Sequence, residues 1–156
     1  MSDTLLKVSG LKTYFFTASG VSKAVDGVSF ELKRGEVMGI VGESGSGKSV
    51  TSNSIIRLLP PQTGRIVDGE ITFEGRDILA MSHKQLLEFR GKEIATIFQD
   101  PMTSLDPVFK IGKQMVEMIC AHQDVSKKEA WDMAVHALAR VGIPEPEKRM
   151  EAYPYE

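Results

Sequence analysis

Apolar and polar positions alternate in two short stretches near the start of the chain, Leu5 to Val8 and Val28-Ser29-Phe30-Glu31-Leu32. A period of two puts successive side chains on opposite faces, so both stretches predict half-buried strands, with Arg34-Gly35 as the turn after the second. Between them lies Leu11-Lys12-Thr13-Tyr14-Phe15-Phe16, three consecutive aromatic residues followed by small, polar Thr17 to Gly20. If this stretch is a strand, at least one ring faces outward. Glu36-Val37-Met38-Gly39-Ile40-Val41 breaks the alternation, and its mostly apolar run predicts a strand buried on both faces. Val50 to Leu59 predicts a helix stopped by Pro60 and Pro61.

Farther along, Ile71 and Phe73 alternate with polar neighbours inside Ile66 to Ile78, which predicts an edge-type strand with glycines at its turns. Ser82-His83-Lys84-Gln85 has the form of a capping box and opens a short helix through Phe89. Glu93-Ile94-Ala95-Thr96-Ile97-Phe98 predicts a second largely apolar strand, and Pro101 keeps the preceding residue out of helical space, which places Gln99 in a loop at that strand's end. From Ile111 the period becomes helical. Ile111, Met115, Met118 and Ile119 recur on one face up to Ala121; a second capping box, Ser126-Lys127-Lys128-Glu129, opens a helix lined by Ala130, Ala134, Val135, Leu138 and Val141, which Gly142 ends. Met115, Met118 and Met133 either fill a core, the preferred reading, or offer an adaptable partner surface.

Composition narrows the class. A chain of 156 residues with a net charge of −2 carries no basic excess for nucleic acid or an acidic membrane surface. Its single cysteine, Cys120, cannot form an internal disulfide and, in an apolar helical pattern, is read as a small buried side chain. His83, His122 and His136 have no second ligand at metal-binding spacing and are read as surface or helix-end residues. The start has no basic region followed by an apolar one, and no run of eighteen apolar residues occurs, so a cytosolic chain without its own membrane span is expected.

The chemistry concentrates where the first apolar strand should turn into a helix. Gly42-Glu43-Ser44-Gly45-Ser46-Gly47-Lys48-Ser49 has the form G-x-x-x-x-G-K-[ST] of a phosphate-binding loop. Glycines let the backbone approach an anion closely, and the turn aims successive N–H groups and the positive end of the helix dipole at phosphates. Lys48 would reach the β and γ phosphates and the Ser49 hydroxyl would ligate Mg²⁺. In parallel sheets ligands sit beyond the carboxyl ends of strands, so Gln99 and this loop can face one site, where an amide oxygen can ligate Mg²⁺ and hold a water; taken as an isolated glutamine, Gln99 reads as a solvated loop residue. An exposed aromatic among Tyr14, Phe15 and Phe16 is a candidate to stack on a purine; the alternative is that all three pack under the loop.

Taken together, these residues resemble the nucleotide-binding subunits of ABC transporters, most closely those of oligopeptide and dipeptide importers. The resemblance rests on the loop Gly42 to Ser49, the upstream aromatics, the segment Ile97-Phe98-Gln99-Asp100-Pro101-Met102-Thr103-Ser104-Leu105-Asp106-Pro107, and the closing Ala152-Tyr153-Pro154-Tyr155-Glu156. It implies an α/β fold of the P-loop NTPase, ABC ATPase type, with an antiparallel β section and part of a helical subdomain: an ATP-binding core over residues 1–104 and the start of the helical subdomain over 105–156. It implies a subunit that binds and hydrolyses ATP to energise peptide import from the cytoplasmic face of the cell membrane. By the resemblance Phe15 stacks on adenine; Gly42, Glu43, Ser44, Gly45, Ser46, Gly47, Lys48, Ser49 and Val50 hold the nucleotide; Ser49 and Gln99 ligate Mg²⁺; and Lys48 and Gln99 serve catalysis. The implied partners are a second ABC ATPase subunit, transmembrane permease subunits that dock on Met102 to Phe109 and the Ile111 helix, and indirectly a periplasmic or extracellular peptide-binding protein, but no nucleic acid.

One departure qualifies the resemblance. The family's signature segment directly follows a Tyr-Pro-x-Glu stretch, and the sequence stops on that stretch, without the second acidic strand, its catalytic glutamate or the later switch histidine. General-base catalysis contributes about 10²- to 10⁴-fold, so slow or no hydrolysis is expected of these residues alone. Such a chain is read as a truncated cassette with open apolar faces that dimerises, aggregates or orders only in part. Two other readings are a nucleotide-binding module without catalysis and an ABC-type ATPase in a soluble, non-transport role.

Overall fold

In a computed structural model, which describes residues 3–98 and 104–156, the chain divides into two compact units, Met1–Arg90 and Gly91–Glu156. The first unit is built on a four-stranded antiparallel sheet in the order β2-β1-β3-β4, with β1 at Thr4–Thr17, β2 at Gly20–Lys33, β3 at Gly64–Phe73 and β4 at Arg76–Asp77. β1 and β2 form one long hairpin through the aromatic stretch, closed by Thr17↔Gly20. One helix, α1 (Lys48–Ile55), packs on the sheet, and a second, α2 (His83–Phe89), follows the last strand. The core beneath is made by Leu6, Val8, Leu11, Val25, Ile71 and Phe73 from the strands with Ile55, Ile56, Ile78 and Phe89.

A bulge in β1 decides the fate of the aromatic residues. The pairing with β2 shifts register between Val8 and Leu11, around Gly10 at φ 58°, and the buried positions change from even (Leu6, Val8) to odd (Leu11, Thr13). One extra residue reverses every side chain beyond it. Phe15 therefore continues the inward set and is half-buried, while Tyr14 and Phe16 project to the other face.

The sheet also corrects the strand expectations. Glu36 to Val41 forms no strand, and Val37 and Val41 are 96% and 95% exposed. Glu93 to Phe98 forms none either, with Ile97 99% exposed. An apolar strand buried on both faces exists only when a neighbouring strand takes its hydrogen bonds. Among the described residues no strand lies beside either run. Val50 to Leu59 is helical only to Ile55, because the chain turns left-handed at Arg57 (φ 53°) before either proline is reached.

The second unit packs three helices: α3 (Ile111–His122), α4 (Lys127–Arg140) and α5 (Pro146–Glu151). Both capping boxes form as expected, Ser82 on Gln85 opening α2 and Ser126 on Glu129 opening α4. Gly142, at φ 79°, ends α4 with its N–H on the Ala139 carbonyl at 3.0 Å. Ala130, Ala134 and Met150 form the buried centre, and α3 approaches so closely at Gly112 that a Cβ there would lie 2.7 Å from both the Met150 carbonyl oxygen and the Trp131 ring. The methionine expectation fails in part: Met115 is half-buried, but Met118 and Met133 are exposed. Cys120 is half-buried rather than enclosed, its thiol 3.9 Å from the Val125 carbonyl oxygen.

Candidate functional site

The loop Gly42 to Gly47 runs directly into α1, and Gly47 stands at the helix's N-cap with φ 90°. Two constraints meet there. The left-handed backbone disfavours any side chain, and a Cβ would lie 2.3 Å from the Ala24 carbonyl oxygen on β2. Glycine thus lets the head of the helix sit flush against the sheet. The first-turn N–H groups of α1 have no carbonyl one turn earlier to bond, and with the helix dipole they form a donor-rich end suited to an anion.

Lys48, the first helical residue, folds back over the loop. Its Nζ donates to the Gly42 and Glu43 carbonyls, both at 2.7 Å, and lies 3.4 Å from Ser46 Oγ. These acceptors are uncharged dipoles, and among the described residues Lys48 makes no ion pair. An ammonium held by carbonyls and a hydroxyl can exchange them for phosphate oxygens with a gain in Coulomb energy. The Ser49 hydroxyl, on the exposed side of the first turn, makes no hydrogen bond among the described residues. Ser46 N–H closes the loop on the Glu43 carbonyl at 3.2 Å, and Thr51 anchors the helix start with both its N–H and its hydroxyl on the Gly47 carbonyl, at 2.8 and 2.9 Å.

Beneath the loop, between Val28 and Phe30 of β2 and Met38 to Val41, runs an open cleft of about 400 Å³. Its walls are mostly apolar, with Gly42, Ser46 and Lys48 of the loop and Thr51 of α1 as the remaining lining. It adjoins the segment whose strand expectation failed, and the failed pairing explains it.

Farther down α1, the buried Thr13 and Ser54 hydroxyls meet at 2.8 Å, and Ser54 Oγ also donates to the Val50 carbonyl at 2.7 Å. This ties the helix to β1 three positions into its second turn. Phe15 lies close by in the strand, and its ring edge is 3.1 Å from where a Cβ at Gly64 would stand. On the opposite face the Tyr14 hydroxyl donates to Asp26 at 2.8 Å, and the Arg65 guanidinium lies 5.6 Å from the Phe16 ring centre. The Asp26 hydrogen bond, then burial, raises the Tyr14 pKa above its ordinary value. Gln99 lies outside the described residues.

In the second unit the described part of the expected docking stretch is fastened to α3 by Gln114. Its side-chain oxygen accepts from Asp106 N–H at 2.8 Å, and its amide donates to the Asp106 and Phe109 carbonyls at 2.9 Å. Val108 and Phe109 remain exposed, with Lys113 Nζ 3.6 Å from the Phe109 ring centre. No helix of the described residues is long and apolar enough to cross a membrane.

The family model described as ABC transporter matches residues 25–156, which contain the loop, α1 and all three helices of the second unit. The chain belongs to the ABC transporter family. It is 50% identical over 155 residues to a probable peptide ABC transporter ATP-binding protein of Sinorhizobium fredii, covering 99% of this chain and 46% of that protein. It is 51% identical over 152 residues to the oligopeptide transport ATP-binding protein OppD of Bacillus subtilis, covering 97% of this chain and 42% of that one. The chain thus spans about half the length of the curated relatives it matches. Among solved structures, the ATP-binding cassette MJ0796 bound to ADP and Pi superposes with a TM-score of 0.79 at 20% identity, over 97% of this chain and 62% of that one. The fold is therefore that of an ABC ATPase cassette.

Two features escaped the sequence reading. The parity change in β1 had a signal, an isolated glycine inside an alternating run. The contact of Gly47 with the Ala24 carbonyl had none, because it joins positions far apart in the chain.

Proposed function

We propose that this chain binds ATP as part of the ATP-hydrolysing subunit that energises import of oligopeptides or dipeptides by an ABC transporter. The observation that carries the reading is the cradle at the head of α1: a left-handed Gly47 pressed on the sheet, first-turn N–H groups, and a Lys48 ammonium held by uncharged acceptors of the loop. Peptide as the transported class is supported by the relatives' names, at about half identity across nearly this whole chain.

In this reading residues 42–50 hold the triphosphate and Lys48 bridges its β and γ groups. Mg²⁺ would be held by Ser49, whose hydroxyl makes no hydrogen bond among the described residues, and by Gln99; it would neutralise phosphate charge. Phe15 is the ring assigned to adenine. Residues 1–104 act as the ATP-binding core and 105–156 as helical subdomain. A second ATPase subunit faces the site, permease subunits dock on Met102 to Phe109 and α3, a peptide-binding protein delivers cargo to them, and the subunit works at the cytoplasmic face of the membrane.

The test is calorimetric titration of the chain with Mg·ATP, beside Lys48→Ala and beside a chain extended to the length of its relatives. Saturable binding is expected in the wild type, with about 2.7 kcal/mol of stabilisation at a hundred times the Kd. Lys48→Ala abolishes it, and steady turnover appears in the extended chain. Failure of both short and extended chains to bind Mg·ATP sinks the proposal.

A further inference from the structure

The tail of α1 is held in a way that its head does not explain. The helix ends in a Schellman motif, with Arg57 N–H on the Ser54 carbonyl at 3.0 Å and Leu58 N–H on the Asn53 carbonyl at 2.7 Å. The left-handed position of this motif favours glycine, yet Arg57 occupies it at φ 53°. Its side chain offsets the strain: Nη1 donates to the Met81 carbonyl at 2.7 Å and lies 3.3 Å from that of Ile78. Its own carbonyl accepts from Arg90 Nη2 at 2.7 Å, while Arg90 Nε takes the Ile56 carbonyl at 2.8 Å. One arginine thus grips the approach to α2, and the other, just after α2, grips the end of α1.

Neither guanidinium has a carboxylate partner among the described residues. Both sit at the negative end of the α1 dipole, where positive charge and orphan carbonyls satisfy each other. Burial, and then repulsion from Arg57, lower the Arg90 pKa. α1 has only eight residues, so a tilt at its tail moves its head, and its head carries Lys48 and Ser49.

We propose that Arg57 and Arg90 form a latch that positions the phosphate-binding loop by fixing the tail of α1. They are positioning residues and do not touch the nucleotide. The proposal rests on the reading that the loop takes a nucleotide.

Two variants of the full chain separate positioning from mere stability. Arg57→Gly accepts φ 53° and keeps the Schellman motif but loses the grip on Met81 and Ile78. Arg90→Lys keeps the charge at the helix tail but cannot fork across two carbonyls. Amide hydrogen exchange of α1 is followed without nucleotide, with β1 amides as the internal reference, and Mg·ATP affinity is measured by calorimetry. Loss of a charge-assisted hydrogen bond corresponds to about tenfold, so α1 exchange quickens and the Mg·ATP Kd rises by about that factor in each variant, while β1 exchange stays at the wild-type rate. Unchanged α1 exchange and affinity in both variants overturn the latch, as does acceleration of β1 equal to that of α1. If the wild type binds no Mg·ATP, the functional proposal fails by itself, and α1 exchange against β1 still decides whether the latch exists.

Discussion

Replacing Gly47 by alanine tests the geometry on which the candidate site depends. The new Cβ would stand 2.3 Å from the Ala24 carbonyl oxygen, where ordinary contact begins at 3.4 Å, so helix and strand must part by roughly an ångström. The oxygen belongs to the backbone of a paired strand and cannot swing aside as a side-chain tip would. Left-handed backbone adds about 1–2 kcal/mol for a residue with a Cβ, and overpacking a tight contact adds about 1–3 kcal/mol. Gly47→Ala should therefore lower the stability of the first unit by about 2–5 kcal/mol, with the larger value if the sheet refuses to yield. Loss of one charge-assisted hydrogen bond to phosphate costs about 1.5–3 kcal/mol, so Mg·ATP affinity should fall by about ten- to a hundredfold in the fraction that still folds. Urea unfolding followed by circular dichroism gives the first quantity and calorimetry the second. A variant that melts and binds as the wild type does would refute the claim that Gly47 seats the loop against β2.

Gly112→Ala should destabilise the second unit by about 1–3 kcal/mol, because the added methyl meets the Met150 carbonyl and the Trp131 ring at once; Trp131 fluorescence during urea unfolding reads it directly. Thr13→Val keeps the side chain's volume but leaves the buried Ser54 hydroxyl with the Val50 carbonyl alone, a loss of about 1–2 kcal/mol in thermal unfolding. The Ser126 side chain and backbone, hydrogen-bonded to the Glu129 carboxylate, hold its pKa below the ordinary glutamate value. Its contribution is present above the unfolded pKa and fades as pH falls through the folded one, so α4 helicity should drop in an acid titration and Glu129→Gln should flatten that drop. Val37→Lys together with Val41→Lys should reduce self-association in light scattering, since both valines are almost fully exposed beside the open cleft.

Much of the site was legible in the sequence because its chemistry is local. A phosphate-binding loop works through consecutive backbone N–H groups and one lysine, so eight contiguous residues specify it. Ser82–Gln85 and Ser126–Glu129 likewise satisfy orphan N–H groups within one turn, and Gly142 supplies the left-handed residue that ends α4. None of these needs a distant partner. The exposed methionines of α3 and α4 were misread because a helical stripe says which residues share a face, not what covers that face.

Sequence alone determined where the anion-binding turn lies, where α2, α3 and α4 begin and that strands alternate at the start. Only the tertiary structure decided which aromatic ring faces inward, because the bulge near Gly10 reverses the parity of β1 and its position depends on pairing with β2. Only the tertiary structure revealed that Gly47 is pinned by Ala24 and that two arginines close the tail of α1, since both contacts join segments far apart in the chain. The runs 36–41 and 93–98 have the composition of buried strands and yet form none among the described residues. A strand's hydrogen bonds point sideways to a neighbour, so its sequence can state a preference for β structure, but the neighbour decides whether the strand exists.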